Sequence, residues 1–181
     1  MNHFDDCAGI GGFSLDCEWA GIETKWAREI DSYARKVYAL RFPLVELFSD
    51  VKEPLPEEIK GQVGLYTCGF PCQPVSCAGK RRGQDDPRWL WPWIAGTIGF
   101  LRPRYVLLEN VPGLLNRGMG DVLRDLASCG YDAEWDCLPA SAFGAPHRRD
   151  RVWIAGWDTN GRNRNKRKVC QMAGREDSES P

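Results

Sequence analysis

An open, mostly parallel α/β sheet with helices on both faces is the fold class that the sequence predicts. Three observations lead there. Short strand-like runs alternate with helical patterns from His3 to Trp157; the first run ends in a glycine-rich turn that opens a helix; and Arg104 to Leu108 (RYVLL) reads as a strand covered on both faces. With 181 residues, 43% of them hydrophobic, the chain is long enough to bury a core.

Each element follows from local pattern. His3 to Cys7 forms the first strand, and after Ala8-Gly9-Ile10-Gly11-Gly12 the residues Phe13, Cys17 and Ala20 fall at helical spacing up to Gly21, a natural stop. Glu23 to Arg28 is a second strand. Asp31 or Ser32 caps a helix with an expected apolar face of Tyr33, Val37 and Leu40, and Pro43 lies beyond its end. Leu47 to Ser49 gives a weak third strand and Val63 to Cys68 a clearer fourth. The stretch Gly69 to Asp86 is irregular, rich in Pro, Gly and Cys. Trp89 to Trp93 opens a helix reaching Leu101, with Pro92 accommodated in its first turn. After the strand at 104–108 come a helix from about Asp121 to Ser128, stopped by Gly130, and two final strands, Tyr131 to Leu138 and Arg151 to Trp157. The division expected is a domain over 1–157 followed by a flexible basic and polar tail over 158–181, which is too poor in large apolar side chains to offset its own ordering.

Charge is distributed unevenly. Residues 1–144 hold 15 Lys and Arg against 20 Asp and Glu, whereas residues 145–181 hold 9 against 5, so a net charge of −1 conceals a basic end. Positive clusters occur at Lys80, Arg81, Arg82 and Arg88, at His147-Arg148-Arg149-Asp150-Arg151, and at 162–168 (RNRNKRK). They suit a nucleic-acid partner, although a solvated surface is the simpler reading of the tail run taken alone. No apolar run approaches the roughly 20 residues of a membrane helix, and the acidic start MNHFDDCAG is not a secretion signal. No membrane partner and a cytoplasmic location are therefore expected, with the eight cysteines reduced.

Ligands of open α/β sheets bind beyond the carboxyl ends of the strands. Gly9, Gly11 and Gly12 stand there at relative positions 1, 3 and 4, which departs from the dinucleotide spacing of 1, 3 and 6. Glu29, after the second strand, is placed to accept hydrogen bonds from both hydroxyls of a ribose. Asp50, after the third, is placed to accept from the amine of an adenine. The set describes a nucleoside-bearing cofactor; a tight turn with two surface carboxylates is the alternative. Cys72, in Gly69-Phe70-Pro71-Cys72-Gln73-Pro74 beyond the fourth strand, is suited to nucleophilic work or to simple packing. Cys68, Cys72 and Cys77 could also suggest a metal, but no Cys-x-x-Cys pair occurs and His147 is the only histidine past residue 3, so no metal is expected. Glu109 brings a carboxylate to the same rim, able to hold or donate a proton in a low-dielectric cleft. Arg149 and Arg151 alternate toward one face, ready for phosphate or developing negative charge.

These residues resemble the DNA cytosine-5 methyltransferases that use S-adenosylmethionine. The resemblance rests on DCAGIGGF at 6–13, EID at 29–31, SDV at 49–51, GFPCQPVS at 69–76, LLENVPG at 107–113 and APHRRDRV at 145–152, in the family's order and at similar spacing. It implies the doubly wound, Rossmann-like sheet of class I S-adenosylmethionine-dependent methyltransferases and a double-stranded DNA substrate. It implies that Cys72 attacks C6 of a flipped cytosine, that Glu109 holds the ring at N3 and the amino group, and that Arg149 and Arg151 orient the base. Cofactor contacts would fall on Cys7, Ala8, Gly9, Ile10, Gly11, Gly12, Glu29, Ile30, Asp50, Val51, Pro71 and Leu90. The chain departs from the family pattern at Cys7, where an aromatic residue is usual, at Asp6, where an apolar one is common, and at His147, where glutamine is frequent. Family members continue into a target-recognition region and two closing motifs, which residues 158–181 are too few to supply. A second polypeptide carrying that region is one expectation. The alternatives are an inactive fragment or an enzyme acting on transfer RNA.

Overall fold

Alternation of residues along each strand divides the protein into two cores, one on each side of a single sheet. The computed structural model describes residues 1–71 and 89–159. In chain order the elements are β1 (Asn2–Asp6), α1 (Gly12–Trp19), β2 (Glu23–Arg28), α2 (Ser32–Arg41), β3 (Glu46–Phe48), a 3-10 turn (Glu57–Ile59) and β4 (Leu65–Cys68). There follow α3 (Trp91–Leu101), β5 (Tyr105–Asn110), α4 (Leu114–Arg117), α5 (Met119–Ser128), β6 (Tyr131–Pro139), a second 3-10 turn (Ala140–Phe143) and β7 (Asp150–Asp158). Among the described residues the sheet has seven strands in the order β3-β2-β1-β4-β5-β7-β6. The first five are parallel, and β7 runs antiparallel to both β5 and β6.

The larger core lies on the α3 and α5 side, where Phe4, Tyr66, Val106, Leu108 and Ile154 meet Ile94, Ile98, Leu101, Val122 and Leu126, all of them buried. Complete exclusion of such side chains from water contributes about 1.5–3 kcal/mol each before the entropy of ordering is counted. Ala27, one residue from Trp26 and so on the other face, joins Ala8 and Tyr38 in the smaller core under α1 and α2. Pro92 sits in the first turn of α3, where its missing N–H costs nothing. No helix of the described residues is long and apolar enough to cross a membrane.

Several expectations are corrected. The apolar face assigned to α2 is wrong: Tyr33 and Leu40 are exposed and Tyr38 is the buried residue, its ring tilted against that of Phe42 four positions later with centres 5.0 Å apart. Ala20, expected inward on α1, is exposed, and Ser14 and Cys17 are the buried residues there. β1 stops at Asp6, and Cys7 adopts a left-handed φ of 52° instead of extending the strand. β5 runs on to Asn110, so Glu109 belongs to the strand. The helix α4 was not foreseen, and α5 begins at Met119, earlier than Asp121. β7 includes Asp158, the first residue assigned to the tail; residues 160–181, with the RNRNKRK run, lie outside the described residues.

A buried polar chain crosses the sheet on the side of α1. His3 Nδ1 and Nε2 are each 2.8 Å from a hydroxyl, Thr24 Oγ1 and Thr67 Oγ1 respectively. Thr67 donates to Asp5 Oδ1 at 3.1 Å, and Ser14 donates to Asp5 Oδ2 through both its hydroxyl (2.6 Å) and its backbone N–H (3.1 Å). With the Thr67 proton directed at Asp5, His3 donates through Nε2 and accepts through Nδ1, a neutral ring. Burial lowers the pKa of His3 to about 4, whereas burial, opposed by the Ser14 and Thr67 hydrogen bonds, raises that of Asp5 to about 7. A histidine depressed in this way contributes stability that is present above its ordinary value of 6.5 and is lost as pH falls toward 4. Urea denaturation of the wild type and of His3→Gln at pH 7 and pH 5 is expected to show their stability gap shrinking by about 2 kcal/mol at the lower pH.

Candidate active site

The carboxyl ends of β1, β2, β3, β4 and β5 converge on one edge of the sheet, and two cavities open there. The first encloses about 290 Å³ and brings together Cys7, Glu29, Ile30, Asp50, Val51, Pro71 and Leu90, with Asp6, Arg28, Ser49, Lys52 and Gly69 completing its wall. Ala8, Gly9, Ile10 and Gly11 are not on that wall. They shape it from behind: Glu29 Oε2 accepts the backbone N–H of Gly9 at 2.7 Å while Oε1 accepts that of Asp31 at 2.8 Å. The carboxylate is thereby fixed in direction, and each oxygen keeps a lone pair free for a further donor. Gly9 and Gly11 take left-handed φ values of 57° and 94°, and a Cβ on Gly11 would lie 2.4 Å from the Phe42 ring. Asp50 is oriented by the backbone N–H of Lys52, which donates to Oδ1 at 2.9 Å.

Beneath this cavity lies a buried ion pair. Asp6 accepts from Arg28 Nε at 2.9 Å and Nη2 at 2.5 Å, from the Tyr66 hydroxyl at 2.6 Å and from the Cys7 backbone N–H at 3.0 Å. Arg28 also donates to Thr97 Oγ1 at 2.9 Å and to the Val51 carbonyl at 3.2 Å. Burial works against the charge of Arg28, but the hydrogen bond and charge of Asp6 outweigh it and push its pKa up, so the guanidinium stays charged. The charge at Asp6 is thus matched within the fold by Arg28 on the neighbouring strand. Sequence reasoning missed this pair. The signal available was an acid ending the first strand and an arginine ending the second.

The second cavity, of about 460 Å³, holds Glu109, Arg149 and Arg151 together with Gly12, Phe13, Trp153 and Phe143. Arg151 Nε contacts Glu109 Oε1 at 2.5 Å, with roughly a quarter of each side chain exposed. Burial raises the pKa of Glu109, opposed by the Arg151 and Arg149 charges. Arg149 precedes β7 with a left-handed φ of 41°, which turns it onto the wall that Arg151 also lines. Phe13 and Trp153 meet edge to face, ring centres 5.9 Å apart. Gly69 separates the two cavities: it lines the first, and a Cβ placed on it would stand 3.5 Å from Glu109 Oε2. Asn110 Nδ2 donates to the Phe70 carbonyl at 3.1 Å and its Oδ1 accepts the Val111 N–H at 2.8 Å, pinning the segment that leads through Pro71 toward residue 72. Cys72 and Cys77, and the basic residues at 80–82 and 88, lie outside the described residues. Among the described residues no group of three or more His, Cys, Asp or Glu is placed to hold a metal.

Sheet order, glycine turn and paired cavities define an open α/β protein with an acid and two arginines at the carboxyl edge of its sheet. The family model for C-5 cytosine-specific DNA methylases matches residues 1–178, and the chain belongs to that family. It is 40% identical over 153 residues to the type II methyltransferase M.NaeI of Lentzea aerocolonigenes, a match covering 80% of this chain and 37% of that protein. It is 36% identical over 158 residues to M.NgoBI of Neisseria gonorrhoeae, covering 84% and 49%. Among solved structures, a mutant of Spodoptera frugiperda DNMT2 superposes with a TM-score of 0.72 at 26% identity, covering 92% of this chain and 53% of that one. The chain therefore spans about half the length, or less, of the relatives it matches.

Removing one partner of a buried pair strands the other charge. Asp6→Ala is expected to lower stability by about 3–5 kcal/mol, read by urea denaturation, and the added change Arg28→Met to recover a large part of the loss.

Proposed function

We propose that the chain is the catalytic part of a DNA cytosine-5 methyltransferase, transferring a methyl group from S-adenosylmethionine to C5 of a flipped cytosine through a covalent Cys72 adduct. The observation that carries this reading is the shared Gly69 wall: a cavity suited to a nucleoside lies on one side and the Glu109 carboxylate on the other. The first cavity fits the cofactor by its donor set. Glu29 offers two fixed oxygens to a ribose diol, Asp50 an acceptor to an exocyclic amine, and Val51, Pro71 and Leu90 apolar surface to a purine ring. When bound there, S-adenosylmethionine supplies an electrophilic methyl group.

The rest is done by the chain's own residues. The face of C6 is covered by stacking in a duplex, so the cytosine must be flipped out, at a cost of a few kcal/mol. Glu109 holds the base at N3 and the amino group and favours the protonated ring that makes C6 electrophilic; its raised pKa suits that role. Cys72 attacks C6, and C5 becomes nucleophilic and takes the methyl. Loss of the C5 proton restores the double bond and expels Cys72. Arg151 keeps Glu109 in place, and Arg149 stands beside it to orient the base. Double-stranded DNA is the substrate, reached in the cytoplasm. Target recognition is assigned to a region outside residues 1–181, on a second polypeptide or a further segment.

A 5-fluorocytosine duplex tests the chemistry, because fluorine at C5 cannot leave as a proton. The wild type is expected to form a covalent adduct only with S-adenosylmethionine present, Cys72→Ser to form none, and Glu109→Gln to form it about 100-fold more slowly. S-adenosylmethionine binding without labelling of any DNA or RNA, even with the product encoded downstream added, overturns the reading, and an adduct formed only on transfer RNA reassigns the substrate. Glu29→Ala is expected to weaken S-adenosylmethionine binding by about tenfold or more in calorimetry, through lost hydrogen bonds to the ribose.

A further inference from the structure

The register of β1 and β4 places two thiols behind the nucleoside cavity. Asp6 and Cys68 are direct partners in the parallel ladder, so Cys7 follows one residue beyond the partner of Cys68. With strands about 4.8 Å apart and a rise of about 3.3 Å per residue, that diagonal brings the two Cα atoms to roughly 6 Å, inside the range a disulfide spans. The left-handed φ of 52° at Cys7 turns its side chain away from the strand's alternation, and Cys7 packs against the buried cluster that contains Cys68. Cys7 is half-buried on the cavity wall and open to small solutes, whereas Cys68 is fully buried behind it. The pair therefore has one accessible sulfur on the cavity wall and one sheltered sulfur on the neighbouring strand.

We propose that Cys7 and Cys68 form a two-electron oxidation site whose disulfide, made with a peroxide, weakens cofactor binding in the adjoining cavity. The Cys7 thiolate attacks a peroxide oxygen, the O–O bond breaks, and the departing oxygen leaves as water once protonated, giving a sulfenic acid on Cys7. The Cys68 sulfur then attacks the Cys7 sulfur, the S–O bond breaks, and hydroxide takes the Cys68 proton and leaves as water. Two thiols have lost two electrons and one hydrogen peroxide has become two waters. Burial, and then the neighbouring Cys7, raise the pKa of Cys68 well above the usual thiol range, so Cys68 serves as the resolving sulfur and not as the first to react. A covalent link draws Cys7 toward the sheet. Ala8 and Gly9 follow, and Gly9 is the residue whose N–H fixes Glu29. The effect on affinity rests on the function proposed above; formation of the bond does not.

The experiment treats the full chain with hydrogen peroxide, removes the oxidant with catalase, maps disulfide-linked peptides by mass spectrometry, and titrates S-adenosylmethionine before and after. The expected result is a Cys7–Cys68 linked peptide and about tenfold weaker binding, restored by dithiothreitol; the scale is that of an ångström-sized displacement of binding groups. Cys68→Ala, a change behind the wall, is expected to bind like the untreated wild type and to be unaffected by the same treatment. Absence of that linked peptide, or its formation with unchanged affinity, overturns the proposal. An untreated chain that does not bind S-adenosylmethionine overturns the cofactor reading instead, and the oxidation site is then decided by the linked peptide alone.

Discussion

A buried charge pair holds together the wall of the first cavity at the carboxyl edge of the sheet. Asp6 and Arg28 end adjacent parallel strands, and removing both from water costs several kcal/mol per ion before any return. The return comes from geometry. Asp6 receives four hydrogen bonds and Arg28 reaches two further acceptors, so β1, β2, β4, α3 and the Val51 backbone share one polar cluster. An apolar pair could fill the same volume, but it could not reach across to the Val51 carbonyl and fix the segment that carries Asp50. The pair thus specifies where the cavity wall stands, with net stability a secondary result.

Strand direction decides how the second cavity is built. Because β7 runs antiparallel to β5, its first residues lie beside the last residues of β5, with Val152 opposite Asn110 and Trp153 opposite Glu109. Arg151 is then diagonal to Glu109, close enough for an ion pair, and Trp153 stands on the same face. A parallel final strand would have sent both arginines to the far edge of the sheet. Gly69 completes the arrangement: it lines the first cavity, and a Cβ on it would stand 3.5 Å from the Glu109 carboxylate that lines the second. Asn110 adds a tether from the same strand to the segment that continues toward Cys72.

Local pattern was sufficient wherever one physical signal dominated. The N-cap of α2 at Asp31, the proline in the first turn of α3 and the apolar run of β5 were legible because capping, a missing N–H and two-sided burial each leave their mark within a few residues. The face of α2 was not legible. Tyr33, Val37 and Leu40 satisfy helical spacing as well as Ala34, Tyr38 and Phe42 do, and a ten-residue helix does not reveal which stripe its neighbours cover. Asp6 and Arg28 escaped for a related reason, since 21 residues separate them and only the register of β1 with β2 makes them partners.

By itself, then, the sequence determined the order of elements, the glycine turn after the first strand, and the acids and arginines that stand at strand ends, because each depends on neighbours in the chain. Tertiary structure alone decided that Arg28 neutralises Asp6, that β7 turns back to bring Arg151 onto Glu109, and that Cys68 partners Asp6, the residue before Cys7. Those outcomes depend on strand order and direction, which arise when distant segments compete to bury their surfaces and which no local pattern encodes.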